Sequence, residues 1–274
     1  FFATWRQHNS TEETFAGKIK PRNITADLPN AGQRLISRQG ELTVPVPILL
    51  YHQIATPPFR KTPFRSMIVS PESFRRQMGW LKRLGYQGLS LRESLPYISG
   101  QKTGKVAAIT FDDGFTNVYQ NAMPILQEFG FTATNFFVSN QIGGSNEWDR
   151  PLGVLPATCM DISQIKQWLS SGHEVGAHTM DHVHLSQIPE TQAFEQLSLC
   201  KEKLQEIVGD TVETFAYPYG DHNDRVRELV RQAGYIVAAG TERRRTTSND
   251  DLMNLPRLTI RRDDTWLHFV AKCL

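Results

Sequence analysis

The sequence predicts an α/β fold, a (β/α) barrel of seven or eight β–α units. Three observations predict it. From Val46 onward, short apolar runs alternate with segments that carry helix start and stop signals. Their number, over about 230 residues, suits a barrel of parallel strands better than an open sheet. The side chains able to do chemistry fall at the carboxyl ends of the apolar runs, and in a barrel those ends share one face.

The elements follow in order. Ile48–Tyr51 is the first strand candidate, and His52 comes directly after it. Ser70 before Pro71 caps a helix that Gly85 ends. Gln87–Leu89 and residues 106–110 are the next strands, and a helix over 117–129 stops at Gly130. Residues 134–138 are the fourth strand. Asp161 with Gln164 three residues on is a capping box for a helix that Gly172 closes. Glu174–Ala177 is the fifth strand, followed by a helix over Glu190–Val208 that ends at Gly209. Strands over 214–217, 236–239 and 257–260 remain, with helices over 224–233 and 264–272. Residues 1–45 are polar and lack periodicity, which predicts an N-terminal arm or linker ahead of a domain over 46–274. Asn9 and Asn23 each begin a glycosylation triplet, a pattern that also arises by chance.

A hydrophobic content of 39% in 274 residues supports a sizeable core. A net charge of +2, with no basic stripe interleaved with aromatics, argues against nucleic acid as a partner. Arg243, Arg244 and Arg245 read as a solvated loop. No apolar run is long enough for a transmembrane segment. Cys159, Cys200 and Cys273 are widely spaced and form no Cys-x-x-Cys pair, so neither a disulfide framework nor a thiolate zinc site is indicated.

Three segments carry the chemistry. Ile109-Thr110-Phe111-Asp112-Asp113-Gly114 ends an apolar run in two adjacent carboxylates. Such neighbours repel unless a positive charge sits beside them, and a cation would leave one free as a base. An Asp-Asp-Gly turn is the competing reading. His178-Thr179-Met180-Asp181-His182 sets two imidazoles four residues apart after a strand. Two imidazoles and a carboxylate make a three-ligand set with a position open for water, although a His pair alone also fits a solvated helix face. Phe215-Ala216-Tyr217-Pro218-Tyr219-Gly220 closes a third run as an aromatic turn. His173 with Glu174 hints at His-Glu-x-x-His, but the next histidine falls one residue late.

Together, in this order, the segments resemble the polysaccharide deacetylases of carbohydrate esterase family 4, over roughly residues 46–260. The family motifs are Thr-Phe-Asp-Asp-Gly, His-Ser/Thr-x-x-His and Arg-x-Pro-Tyr. Leu50-Tyr51-His52 is similar to the branch that holds poly-N-acetylglucosamine deacetylases. The resemblance implies a distorted (β/α) barrel and a deacetylase catalytic domain over 46–274. It implies a divalent metal, usually zinc, held by Asp113, His178 and His182, with Asp112 as the base and a metal-activated water as the nucleophile. Tyr219, next to Pro218, would meet the developing oxyanion through its N–H. The substrate would be an N-acetylglucosamine polysaccharide, and the place of action extracellular, periplasmic or at the cell surface.

Two positions depart from the pattern. Ala216 stands where the motif has the arginine that braces the base. Arg257 is the candidate replacement, against a reading as a solvated or structural arginine. No late Leu-x-His motif is evident for the acid, and His52, at a strand end, is the better candidate than His268. His52 as a buried, backbone-bonded histidine is the competing reading. Asp181 is a candidate brace for a ligand imidazole, or else a cap. Two other functions stay open: hydrolysis of a small amide, and a catalytically silent carbohydrate-binding module on the same scaffold.

Overall fold

The computed structural model describes residues 45–274, and the expected arm over 1–45 lies outside the described residues except for Pro45. Ten strands and seven α-helices follow. β1 is Ile48–Tyr51, and β2 (Gln53–Ile54) pairs with β3 (Ile68–Val69) as a small separate sheet. α1 is Pro71–Arg83, β4 Gln87–Leu89, α2 Leu91–Ile98 and β5 Val106–Phe111. α3 is Met123–Phe129, β6 Thr134–Phe137, α4 Ile162–Ser170 and β7 Glu174–Ala177. α5 is Glu190–Val208, β8 Thr214–Ala216, α6 Asp224–Gln232, β9 Val237–Ala239, β10 Leu258–Thr259 and α7 Trp266–Cys273.

The main sheet runs β10-β1-β5-β6-β7-β8-β9, all parallel, with β4 also on β5. β4 pairs with the first half of β5 and β6 with the second, so both share one edge of that strand. The sheet is curled into a half-barrel flanked by helices, as the sequence predicts. Residues 255–259 connect its two ends: Leu255 bridges Ala239 of β9, and Leu258 lies beside Leu49 of β1.

Side-chain alternation divides the core in two. Ile48, Ala108, Phe136, Ala216 and Val237 point inward and pack with Leu91, Leu95 and Ile98 of α2. Val46 and Val106, at the strand starts, belong to the same cluster, so α2 covers the amino end of the interior. Leu49, Ile109, Phe111, Phe137 and Phe215 point outward, against Phe74 and Met78 of α1, Trp168 of α4 and Leu197 of α5. The amino end is therefore filled with hydrocarbon, and the carboxyl end is left for polar groups.

β2 and β3 are too short to show as apolar runs in the sequence, and two helical elements also differ from expectation. α2 has no counterpart in the sequence reading because Pro96 lies inside it, yet Ser90 and Glu93 form a full capping box at its start. The helix expected over 117–129 is two pieces, a wide π-turn over Val118–Ala122 and then α3. Pro124, lacking an N–H, interrupts the regular ladder there.

Candidate metal centre and active site

Strand register builds the site. Tyr51 pairs with Phe111, so His52 and Asp112, the next residues on each strand, leave the sheet at one level. The amide of Asp112 donates to Tyr51 O at 3.0 Å. Phe137 pairs with Ala177, and the amide of His178 donates to Phe137 O at 3.0 Å. Among the described residues, five non-glycine residues have positive φ, and four belong to this site: Asp113, Thr179, His182 and Tyr219. A left-handed residue breaks the alternation of a strand, which lets the consecutive side chains of Asp112 and Asp113 both reach the cleft.

Asp113, His178 and His182 offer ligand atoms that all lie within 4.8 Å of one another, and all three residues are buried. Asp113 Oδ1 is 3.5 Å from His178 Nε2 and 3.3 Å from His182 Nε2. That oxygen has no hydrogen-bond partner among the described residues. His178 Nδ1 sits 2.7 Å from Ala216 O, which can only accept, so Nδ1 carries the proton and the Nε2 lone pair faces Asp113. Burial pushes the His178 pKa down to about 4, with Asp112 acting in the opposite sense, so the ring is neutral at pH 7. Burial raises the Asp113 carboxyl, but His182, His52 and His178 outweigh it and hold it below the usual carboxylate range. A buried anionic oxygen facing two imidazole nitrogens with no donor between them fits a divalent cation.

Arg257 is fully buried and grips Asp112 through both oxygens, Nη1 to Oδ1 at 2.7 Å and Nη2 to Oδ2 at 2.8 Å. Its Nε donates to Gly240 O at 2.8 Å, and the guanidinium lies 5.6 Å from the centre of the Phe136 ring. Desolvation pushes the Asp112 carboxyl up, yet Arg257, together with His178 and His52, outweighs it and holds it below its ordinary value, so the group stays ionised. The position of Ala216 is thus answered from across the barrel. His52 is half-buried beside the pair, and its Nδ1 has no partner among the described residues.

His52, Asp112, Asp113, His178 and His182 line one cleft of about 580 Å³ with Trp148, Asp149, Leu155 and Tyr219, and Arg257 lies behind its wall. The Tyr219 ring is 44% exposed and stacks on His184 at 3.9 Å, while Trp148 stacks on His182 at 4.7 Å. Pro218, expected beside Tyr219 at the substrate, is instead buried within the turn and does not line the cleft. Asp181 does not brace a ligand. Its exposed carboxylate accepts from Asn140 at 2.8 Å and Gln196 at 2.7 Å, because Gln196 of α5 ties down the turn and draws the side chain outward. Asp149 and Trp148 in the cleft wall, and Gln196 behind the turn, carry no motif that marks them in the sequence.

The polysaccharide deacetylase family model matches residues 99–238, more than half of the chain. The chain belongs to the polysaccharide deacetylase family. The poly-β-1,6-N-acetyl-D-glucosamine N-deacetylase of Staphylococcus aureus (strain MRSA252) is 28% identical over 208 residues, 74% of this chain and 71% of that protein. A polysaccharide deacetylase from Bacillus cereus, of known crystal structure, is 28% identical with a TM-score of 0.71, covering 84% of this chain and 69% of that one. The Streptococcus pyogenes deacetylase PplD has a TM-score of 0.74 at 24% identity, over 85% of this deacetylase-family chain and 100% of its own. That last likeness supports the half-barrel fold. Among the described residues, no helix of this family member is long and apolar enough to cross a membrane.

Proposed function

We propose that this chain hydrolyses the N-acetyl group of an N-acetylglucosamine-containing polysaccharide. One observation carries the reading: Asp113, His178 and His182 converge in the cleft where Asp112, fixed in its ionised form by Arg257, stands beside His52. The substrate of the Staphylococcus aureus relative supports the choice of glycan. The two-imidazole, one-carboxylate set suits zinc, which when bound supplies a Lewis acid and a water of lowered pKa.

The residues of the chain do the rest. Asp112 takes the proton of the attacking water, and Arg257 keeps its carboxylate oriented and charged. The N–H of Tyr219, presented by a left-handed turn, donates to the oxyanion that grows on the acetamide oxygen. His52 gives a proton to the departing amine. Such a polymer is met outside the cytoplasm, so the site of action is extracellular, periplasmic or at the cell surface.

The test is acetate release from β-1,4 and β-1,6 N-acetylglucosamine oligomers, with metal content measured on the same samples. The native protein releases acetate, chelation stops it, and Asp112→Asn keeps its metal while losing turnover by about a thousandfold. An Asp112→Asn protein of near-native rate would remove the base and the mechanism with it.

A further inference from the structure

One buried acid of the cleft has no part in that chemistry. Asp149 lies in a short 3₁₀ turn, Glu147–Leu152, and is 9% exposed. Its Oδ2 accepts from Asn146 Nδ2 at 3.1 Å, and Asn146 is itself buried and fixed by the amide of Ala157, which donates to its Oδ1 at 2.7 Å. Among the described residues Asp149 has no ion pair and no second side-chain hydrogen bond. A carboxylate has roughly four acceptor sites, so with one neutral donor this one keeps acceptor capacity facing the cleft. Burial pushes the carboxyl up, Asn146 acts against it, and Asp113 adds to it.

The turn does not rest on this side chain alone. Its backbone is closed by the amide of Asp149, which donates to Asn146 O at 3.0 Å. Asp149 also lines the same cleft as Asp112, Asp113, His182 and Tyr219. Trp148, the preceding residue, lines the same cleft as a half-buried ring. A carboxylate short of donors beside an indole is complementary to a sugar, whose hydroxyls donate and whose C–H face packs on aromatic rings.

We infer that Asp149 accepts a hydrogen bond from a ring hydroxyl of the acetamido sugar being deacetylated, and so selects sugars over other acetamides. The inference rests on the deacetylase reading above. The test compares the native protein with Asp149→Ala and Asp149→Asn on an N-acetylglucosamine tetramer. Inhibition by acetate, which carries the acyl group and no hydroxyl, is measured alongside. Asp149→Ala raises KM for the tetramer about 10- to 100-fold, with kcat within a few-fold, and leaves acetate inhibition and metal content unchanged. Asp149→Asn, which keeps an acceptor oxygen and the shape of the turn, shows a severalfold rise. An unchanged KM in both variants, or a matching loss of acetate inhibition or metal, overturns the inference. If the native protein releases no acetate from the tetramer, the deacetylase reading itself fails.

Discussion

Asp112 is almost wholly buried with Arg257 as its counter-ion, both oxygens held in a fork that lysine cannot copy. Weakening that fork raises the carboxyl pKa, because burial then acts with less opposition. A raised pKa means that Asp112, the proposed base, is protonated sooner as pH falls. Arg257→Lys is therefore expected to move the acid limb of kcat/KM to higher pH and to lower kcat at neutral pH about tenfold. An unmoved limb in the pH–rate profile would separate Arg257 from the tuning of the base. His52→Ala is expected to keep its metal and slow amine departure by about a hundredfold; native turnover in that variant would take His52 out of the acid role. The two aspartates and two histidines were legible because each pair sits in a short motif of fixed spacing. Arg257 is 145 positions from Asp112 and sits in no motif, so only its place at the start of a strand made it a candidate partner. Asp149 and Gln196 follow no spacing rule either. Asp181 misled in the opposite way: adjacency to His182 suggested contact, but neighbouring side chains in a turn diverge.

The turns that follow β5, β7 and β8 are where the elements become a site. Asp113, Thr179, His182 and Tyr219 hold φ values of 77, 65, 57 and 60°, conformations that cost about 1–3 kcal/mol each. Neighbouring hydrogen bonds hold them, among them Met160 N to Gly114 O at 2.8 Å and His182 N to Thr179 Oγ1 at 2.9 Å. Gly114 is one tight point, with φ of 69° and no room for a Cβ, which would lie 2.6 Å from the Phe137 ring. Gly114→Ala combines backbone strain with overpacking and is expected to cost about 2–4 kcal/mol. It would lower Tm by several degrees and weaken metal retention through the shifted Asp113. A native melting curve with full metal content would show that the turn has slack. Strand ends were legible to about a residue, since glycines, caps and charges punctuate them. α2 was hidden by Pro96, and its capping box was the signal that could have found it.

At the scale of the whole molecule, the strand count and parallel order were legible because such strands are buried on both faces and read as apolar runs. The meeting of the sheet's two ends through residues 255–259 was not, because it depends on pairing between distant segments. The same burial sets how stability responds to pH. His173 precedes β7, at the end of the strand away from the cleft, and is 3% exposed. It stacks on Trp168 at 4.2 Å, and neither ring nitrogen has a partner among the described residues. Burial pushes its pKa down to about 4, with Glu93 opposing weakly. An unfolded histidine titrates near 6.5, so between about 4 and 6.5 the unfolded chain binds a proton that the folded one refuses. Stability contributed by the neutral ring is thus whole above about 6.5 and declines as pH falls, by up to about 3 kcal/mol near pH 4. His173→Phe keeps an aromatic ring on Trp168 and removes the proton. Its unfolding free energy is expected to fall less steeply than that of the native protein between pH 6.5 and 4.5, as read from denaturant melts. The metal-site histidines titrate in both proteins and cancel in the comparison, so parallel slopes would mean that His173 is hydrated or protonated in the folded state.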